Sequence, residues 1–169
     1  GSPCVEKSIK LSTHAADVAE AIALQLPEKQ LALCAHSFGG PVAIDALATD
    51  EDLAGRCAGL ALLCSVPPSG NKPGTARVVR RSLREAWLIT KAFALKSAAR
   101  SPEDANAVFF NDQLDDETAA RYTSYFAADS SSGLDLGDYQ RSLPRWPTDD
   151  GGRWASMPLD LRCLVLGAD

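Results

Sequence analysis

The stretch Cys34-Ala35-His36-Ser37-Phe38-Gly39-Gly40, directly behind the apolar run Leu31-Ala32-Leu33, constrains this chain more than any other. An apolar run of strand length that ends on a serine between small residues reads as a nucleophile elbow. In such a turn the serine is held at the tip in a strained backbone conformation, and its small neighbours let the following helix pack closely against the strand. Pro41 agrees with this reading. It falls in the first turn of a helix expected from about Gly39 to Ala48, where its missing N–H would have been unpaired anyway. That helix would bury Val42, Ala43, Ala46 and Leu47.

A serine hydroxyl is a weak nucleophile until a base takes its proton, and the charge that develops on the substrate oxygen needs fixed donors. Ser37 is therefore the expected nucleophile, and the backbone N–H of Phe38, at a helix N-terminus, one oxyanion donor. The second donor is expected from a loop ahead of Gly1. The plainer alternative is a structural strand–helix turn that happens to carry serine; the apolar strand before it and the helix after it weigh against that.

The elements around the elbow alternate. Ala15, Val18, Ala19, Ile22 and Leu26 predict an amphipathic helix over 13–26, with Thr13 as N-cap and Pro27 as its stop. Gln30 to Ala35 reads as a strand. Ala58 to Ser65, between Gly55 and Pro67-Pro68, reads as a strand buried on both faces, and 161–166 as a third buried strand. Short loops between alternating helices and strands predict an α/β fold with a parallel sheet. From about Thr75 to Asp129 the period is helical throughout, with Ser101-Pro102-Glu103-Asp104 a strong helix start. Residues 130–158, which include Trp146 and Trp154, read as loop with a helical turn near Asp138 to Ser142. The expected division is core over 1–74, helical insertion over 75–157 and return strand over 158–169.

Composition narrows the partners. A formal charge of −5 and a pI near 5.0 disfavour a phosphate backbone, so nucleic acid is not expected. No apolar run is long enough to span a bilayer. The group Arg77, Arg80, Arg81, Arg84 reads as a solvated helix face before it reads as an anion site, and Asp115-Asp116-Glu117 as a helix start before a metal cluster. No metal or cofactor is expected. Five cysteines, an odd number without C-x-x-C spacing, read as buried free thiols in the cytoplasm or another reducing compartment. Gly1-Ser2-Pro3 reads as a join within a longer protein, and oligomeric state is left open.

The elbow, the strand running into Leu62-Leu63-Cys64-Ser65-Val66-Pro67-Pro68-Ser69-Gly70, the helical insertion with Val108-Phe109-Phe110 and Tyr122, and the ending Leu164-Val165-Leu166-Gly167-Ala168-Asp169 together resemble an α/β-hydrolase of the lysophospholipase-like, esterase/lipase type. The resemblance covers nearly the whole chain and implies a partial α/β-hydrolase fold, a parallel sheet core with an inserted helical cap. It also implies a small-molecule ester or other acyl substrate. In that family the triad runs Ser, acid, His along the chain. Neither His14 nor His36 fits this order, so the base is expected downstream of Asp169 and the stretch alone is expected to be inactive. Asp169, two positions after Gly167, is the candidate acid; the alternative is an acid one or two residues further on. A non-catalytic binding or interaction protein on the same fold is the rival reading. Trp87, Phe93, Phe109, Phe110, Tyr122 and Phe126 suit either an acyl pocket or packing within the insertion.

Overall fold

Leu11, Ala15 and Ala19 recur every four residues, and they are the side chains that the first helix buries. In the computed structural model, which describes residues 8–129, 133–143, 154–158 and 160–167, that helix is α1 (Leu11–Gln25), preceded by the short β1 (Ser8–Ile9). The chain continues through β2 (Leu31–His36), α2 (Gly39–Thr49), α3 (Glu51–Arg56) and β3 (Cys57–Leu63). Next come α4 (Lys72–Arg81), α5 (Leu83–Ala94), α6 (Pro102–Phe109) and α7 (Asp116–Asp129), then β4 (Gly133–Leu134), α8 (Leu136–Ser142) and β5 (Cys163–Leu166). The residues fall into two units, one of Ser8–Asn71 with 134–167 and one of Lys72–Gly133.

The first unit is built on a parallel sheet in the order β2-β3-β5. Leu33 stands opposite Leu60, Ala35 opposite Leu62, and Leu62 opposite Val165. Because strand side chains alternate, Ala35 and Leu60 share one face, where they join the core with Ala43, Ile44 and Leu47 of α2. Ala32, Cys34 and His36 take the other face and are exposed.

Here the structure departs from the expectation of strands buried on both faces. Within β3 only Leu60 is fully buried, and all four residues of β5 are exposed. Apolar composition specified the strands, but helices cover only one side of the β2–β3 pair among the described residues. The same cause overturns the expectation of buried thiols: Cys34, Cys64 and Cys163 are exposed and Cys57 is half-buried. Cys4 and Trp146 lie outside the described residues.

Thr13 is not the cap of α1. The helix starts two residues earlier, at Leu11, and Lys10 makes no side-chain cap bond. A distant residue takes over the task, since the Leu11 N–H donates to Asp138 Oδ2 at 3.0 Å. Asp138 is set on α8, which Asp135 caps by accepting from the Asp138 N–H at 2.9 Å. The Asp135 N–H in turn donates to the Ile9 carbonyl. Near the end of the chain Trp154 enters the core and donates from Nε1 to Asp45 Oδ1 at 2.8 Å; both residues are buried.

The second unit is helical and starts its helices from side chains. Ser82 accepts from the Glu85 N–H and Ser101 from the Asp104 N–H, with Pro102 in the first turn of α6. Asp115 accepts from the Thr118 N–H at 2.9 Å, and this bond holds its carboxyl below the usual Asp range. The acidic run at 115–117 is thus the start of α7. The buried centre of this unit is small, made of Ala92, Ala98 and Ala105 with Val108 and Phe126 against them.

Candidate active site

Ser37 has φ of +53°, in the left-handed region that a side chain with a Cβ rarely occupies. It sits one residue past β2 and two before α2, so the strand delivers it and the helix carries the chain away. The turn is locked on both sides. The Ser37 N–H donates to the Leu63 carbonyl at 3.2 Å, and the Ser37 carbonyl accepts from Val66 at 3.1 Å and Gly40 at 3.2 Å. These bonds hold the serine backbone to the end of β3. Hydrogen bonding to the neighbouring strand thus maintains the unfavourable φ.

A second left-handed residue lies beside it. Cys64, one past β3, has φ of +44° and donates its N–H to the Leu166 carbonyl at 2.7 Å. Two neighbouring strands therefore end in the same way, each passing its next N–H to the following strand. Nothing in the sequence marked Cys64 for this, because cysteine is not a residue that seeks positive φ.

The close approach that an elbow demands falls on Gly40. A Cβ there would lie 1.7 Å from Ser65 Oγ and 2.8 Å from Ser65 Cβ, whereas one at Gly39 would meet nothing within 4 Å. Ser65 is thus part of the site's framework, a role visible only once β3 is placed beside β2.

Phe38 takes helical backbone angles at the N-cap of α2. Among the described residues its N–H is engaged by no hydrogen bond within the chain. Its ring packs edge-on against Tyr139 of α8, with centroids 5.4 Å apart and planes at 79°. Tyr139 is 1% exposed, its hydroxyl has no hydrogen-bond partner among the described residues, and burial pushes its pKa up to about 12. Nothing in the local pattern connects residue 139 with the elbow. The coupling depends on α8 lying against α1, which the Asp138 bond secures.

The other candidates separate from Ser37 to different degrees. His14 is half-buried on α1 and, with Val18, Ala21, Phe38 and Val42, walls an open apolar cavity of about 370 Å³ beside the elbow. His36 is exposed at the end of β2, on the uncovered sheet face. Among the described residues neither histidine is hydrogen-bonded to Ser37. Asp169 lies outside the described residues. The aromatic residues of the insertion largely pack on one another, with Phe109 against Phe126 and Phe110 against Tyr122, each at 4.9 Å between centroids. Trp87 is 59% exposed. No cluster of potential metal ligands occurs among the described residues.

A strained serine between a parallel strand and a helix, on a parallel sheet with helices packed against one face, defines an α/β protein with a partial α/β-hydrolase fold. The family described as the Alpha/beta hydrolase family matches residues 7–169, nearly the whole chain, and the chain belongs to that family. The match supports a hydrolase-type function. No curated protein and no solved structure matches the chain.

Proposed function

We propose that this chain carries the nucleophile of a serine hydrolase that cleaves an ester or related acyl compound, in the manner of an esterase or lysophospholipase. The observation that carries the reading is the left-handed backbone of Ser37, braced by β3. Strain of this kind is kept where a side chain must be presented at a turn.

In the proposed reaction Ser37 Oγ attacks the acyl carbon while a histidine base takes the hydroxyl proton. The Phe38 N–H donates to the oxygen that becomes negative. Collapse of this intermediate expels the leaving group, which receives the proton from the base. Water activated by the same base then attacks the acyl-enzyme, releasing the acid and restoring Ser37. Asp169 is the proposed acid partner of that base. The helical unit is the proposed cap.

Reaction of the full-length protein with a fluorophosphonate tests this. Stoichiometric labelling of Ser37, lost in Ser37→Ala with a fall in kcat on the order of 10⁶-fold, is the expected result. The rival reading, a non-catalytic binding protein, draws on the lack of a histidine bond to Ser37 among the described residues. It predicts no labelling and an unchanged partner affinity in the alanine variant.

A further inference from the structure

Eight of the chain's seventeen Lys and Arg residues fall between Lys72 and Arg100, together with Glu85 alone of its twenty-two acids. Six of the eight stand on α4 and α5, so a chain of net charge −5 concentrates positive charge on one helical hairpin. On α4, Arg77, Arg80 and Arg81 stand at i, i+3 and i+4 and form one face, which leaves Val79 on the far side. The helix buries none of its residues, and Val79 is 42% exposed.

The next helix is apolar on its exposed side. Leu83 and Trp87, one turn apart on α5, are 75% and 59% exposed, and Phe93 is exposed although it touches Phe109. Arg84, next to Leu83 and on the same side of α5 as Trp87, is exposed too. The nearby ion pairs of the described residues use Arg81 with Glu85 and Lys91 with Asp104, so Arg77, Arg80 and Arg84 carry charge that no ion pair there neutralises.

Exposed Trp and Leu beside arginines that form no ion pair among the described residues are a combination that water does not stabilise and an acidic protein surface meets only in part. An anionic lipid surface meets both. Basic side chains reach headgroups while aromatic and aliphatic ones enter the boundary between headgroup and acyl chain. We propose that the α4–α5 hairpin docks this protein on anionic membrane surfaces, lying in the interface. Crossing is not involved, since no helix of the described residues is long and apolar enough to span a bilayer. The proposal stands independently of the chemistry at Ser37.

The test is partition of the full-length protein onto vesicles of phosphatidylcholine, alone or with phosphatidylserine added. Binding is expected only with phosphatidylserine, weakening as salt is raised, with a blue shift of tryptophan emission that Trp87→Phe removes. Combined Arg77→Glu, Arg80→Glu and Arg84→Glu should lower the partition coefficient roughly 10²-fold or more, since each basic residue near the surface contributes about a factor of five. Leu83→Ser with Trp87→Ser should also lower it while leaving the arginines in place. All these side chains are exposed, so circular dichroism should be unchanged, and the salt titration reads the same electrostatics without any substitution. Equal binding to both vesicle types, no binding to either, an unmoved Trp87 emission on bound vesicles, or binding to heparin but not to the anionic vesicles would each overturn the proposal.

Discussion

Gly39 and Gly40 are adjacent in sequence and opposite in consequence. Alanine at Gly40 must displace Ser65, whose Cβ would be 2.8 Å away, and Ser65 follows directly on the strained Cys64. Forcing an extra carbon into such a contact costs on the order of 1–3 kcal/mol. Gly40→Ala should therefore lower the urea midpoint and disturb Ser37 through the Val66 bond. Gly39→Ala, with open space around it, should be neutral or slightly stabilising because alanine favours the helix. Equal effects of the two would contradict the packing described. Tyr139 offers a second test at the same scale. Its buried hydroxyl lacks a partner among the described residues, and leaving such a group unsatisfied costs about 1–3 kcal/mol. Tyr139→Phe keeps the ring against Phe38 and removes only that group. Denaturant unfolding should show the variant equal to or more stable than the wild type, and a clear loss of stability would mean that the hydroxyl has an undetected partner. The strand–turn–helix that carries Ser37 and Phe38 was readable from seven residues. Tyr139 and Ser65 were not, because they reach the elbow from other elements.

Local signals specified the elements where each helix or strand is closed by its own neighbours. Ser101 caps α6 as its sequence announces, with Pro102 and two acids behind it. The start of α1 is not legible locally because its N-terminus is held by Asp138, 127 residues away, and no local pattern marks that bond. Within the helical unit Asp104 also bonds to Lys91 of α5, with Oδ2 2.7 Å from Nζ. The lysine ammonium holds the Asp104 carboxyl below its usual range. A carboxyl depressed in the folded state stabilises it fully above the unfolded value, near pH 4, and loses that contribution as pH falls through the lower folded value. Urea unfolding followed from pH 7 to pH 3 should accordingly show a decline at the acid end that Asp104→Asn reduces. In that variant stability should already be lower at neutral pH, and the difference from wild type should shrink with acidification.

At the scale of the molecule, the parallel order β2-β3-β5 follows from the alternation of helices and apolar runs, whereas exposure of the sheet does not. Apolar content shows that a strand can be buried, but not whether a neighbouring layer is present. Leu164, Val165 and Leu166 are 50–68% exposed although their composition is that of a central strand. The cysteines turn this difference into a chemical measurement. If strand composition governed their environment, Cys34, Cys64 and Cys163 would be shielded and would react only on unfolding. With Cys34 on the uncovered face of β2, Cys64 in the turn after β3 and Cys163 on the exposed β5, all three should react with a neutral maleimide in the folded protein. Half-buried Cys57, at the start of β3, should lag behind them. Peptide mass spectrometry after brief native labelling resolves the four sites. Slow labelling of Cys34 together with Cys163 would show that another layer covers both sides of the sheet in solution. Fast labelling of those two, with Cys57 behind, would establish that only the α2 side of the β2–β3 pair is packed and that the elbow stands on a half-covered sheet.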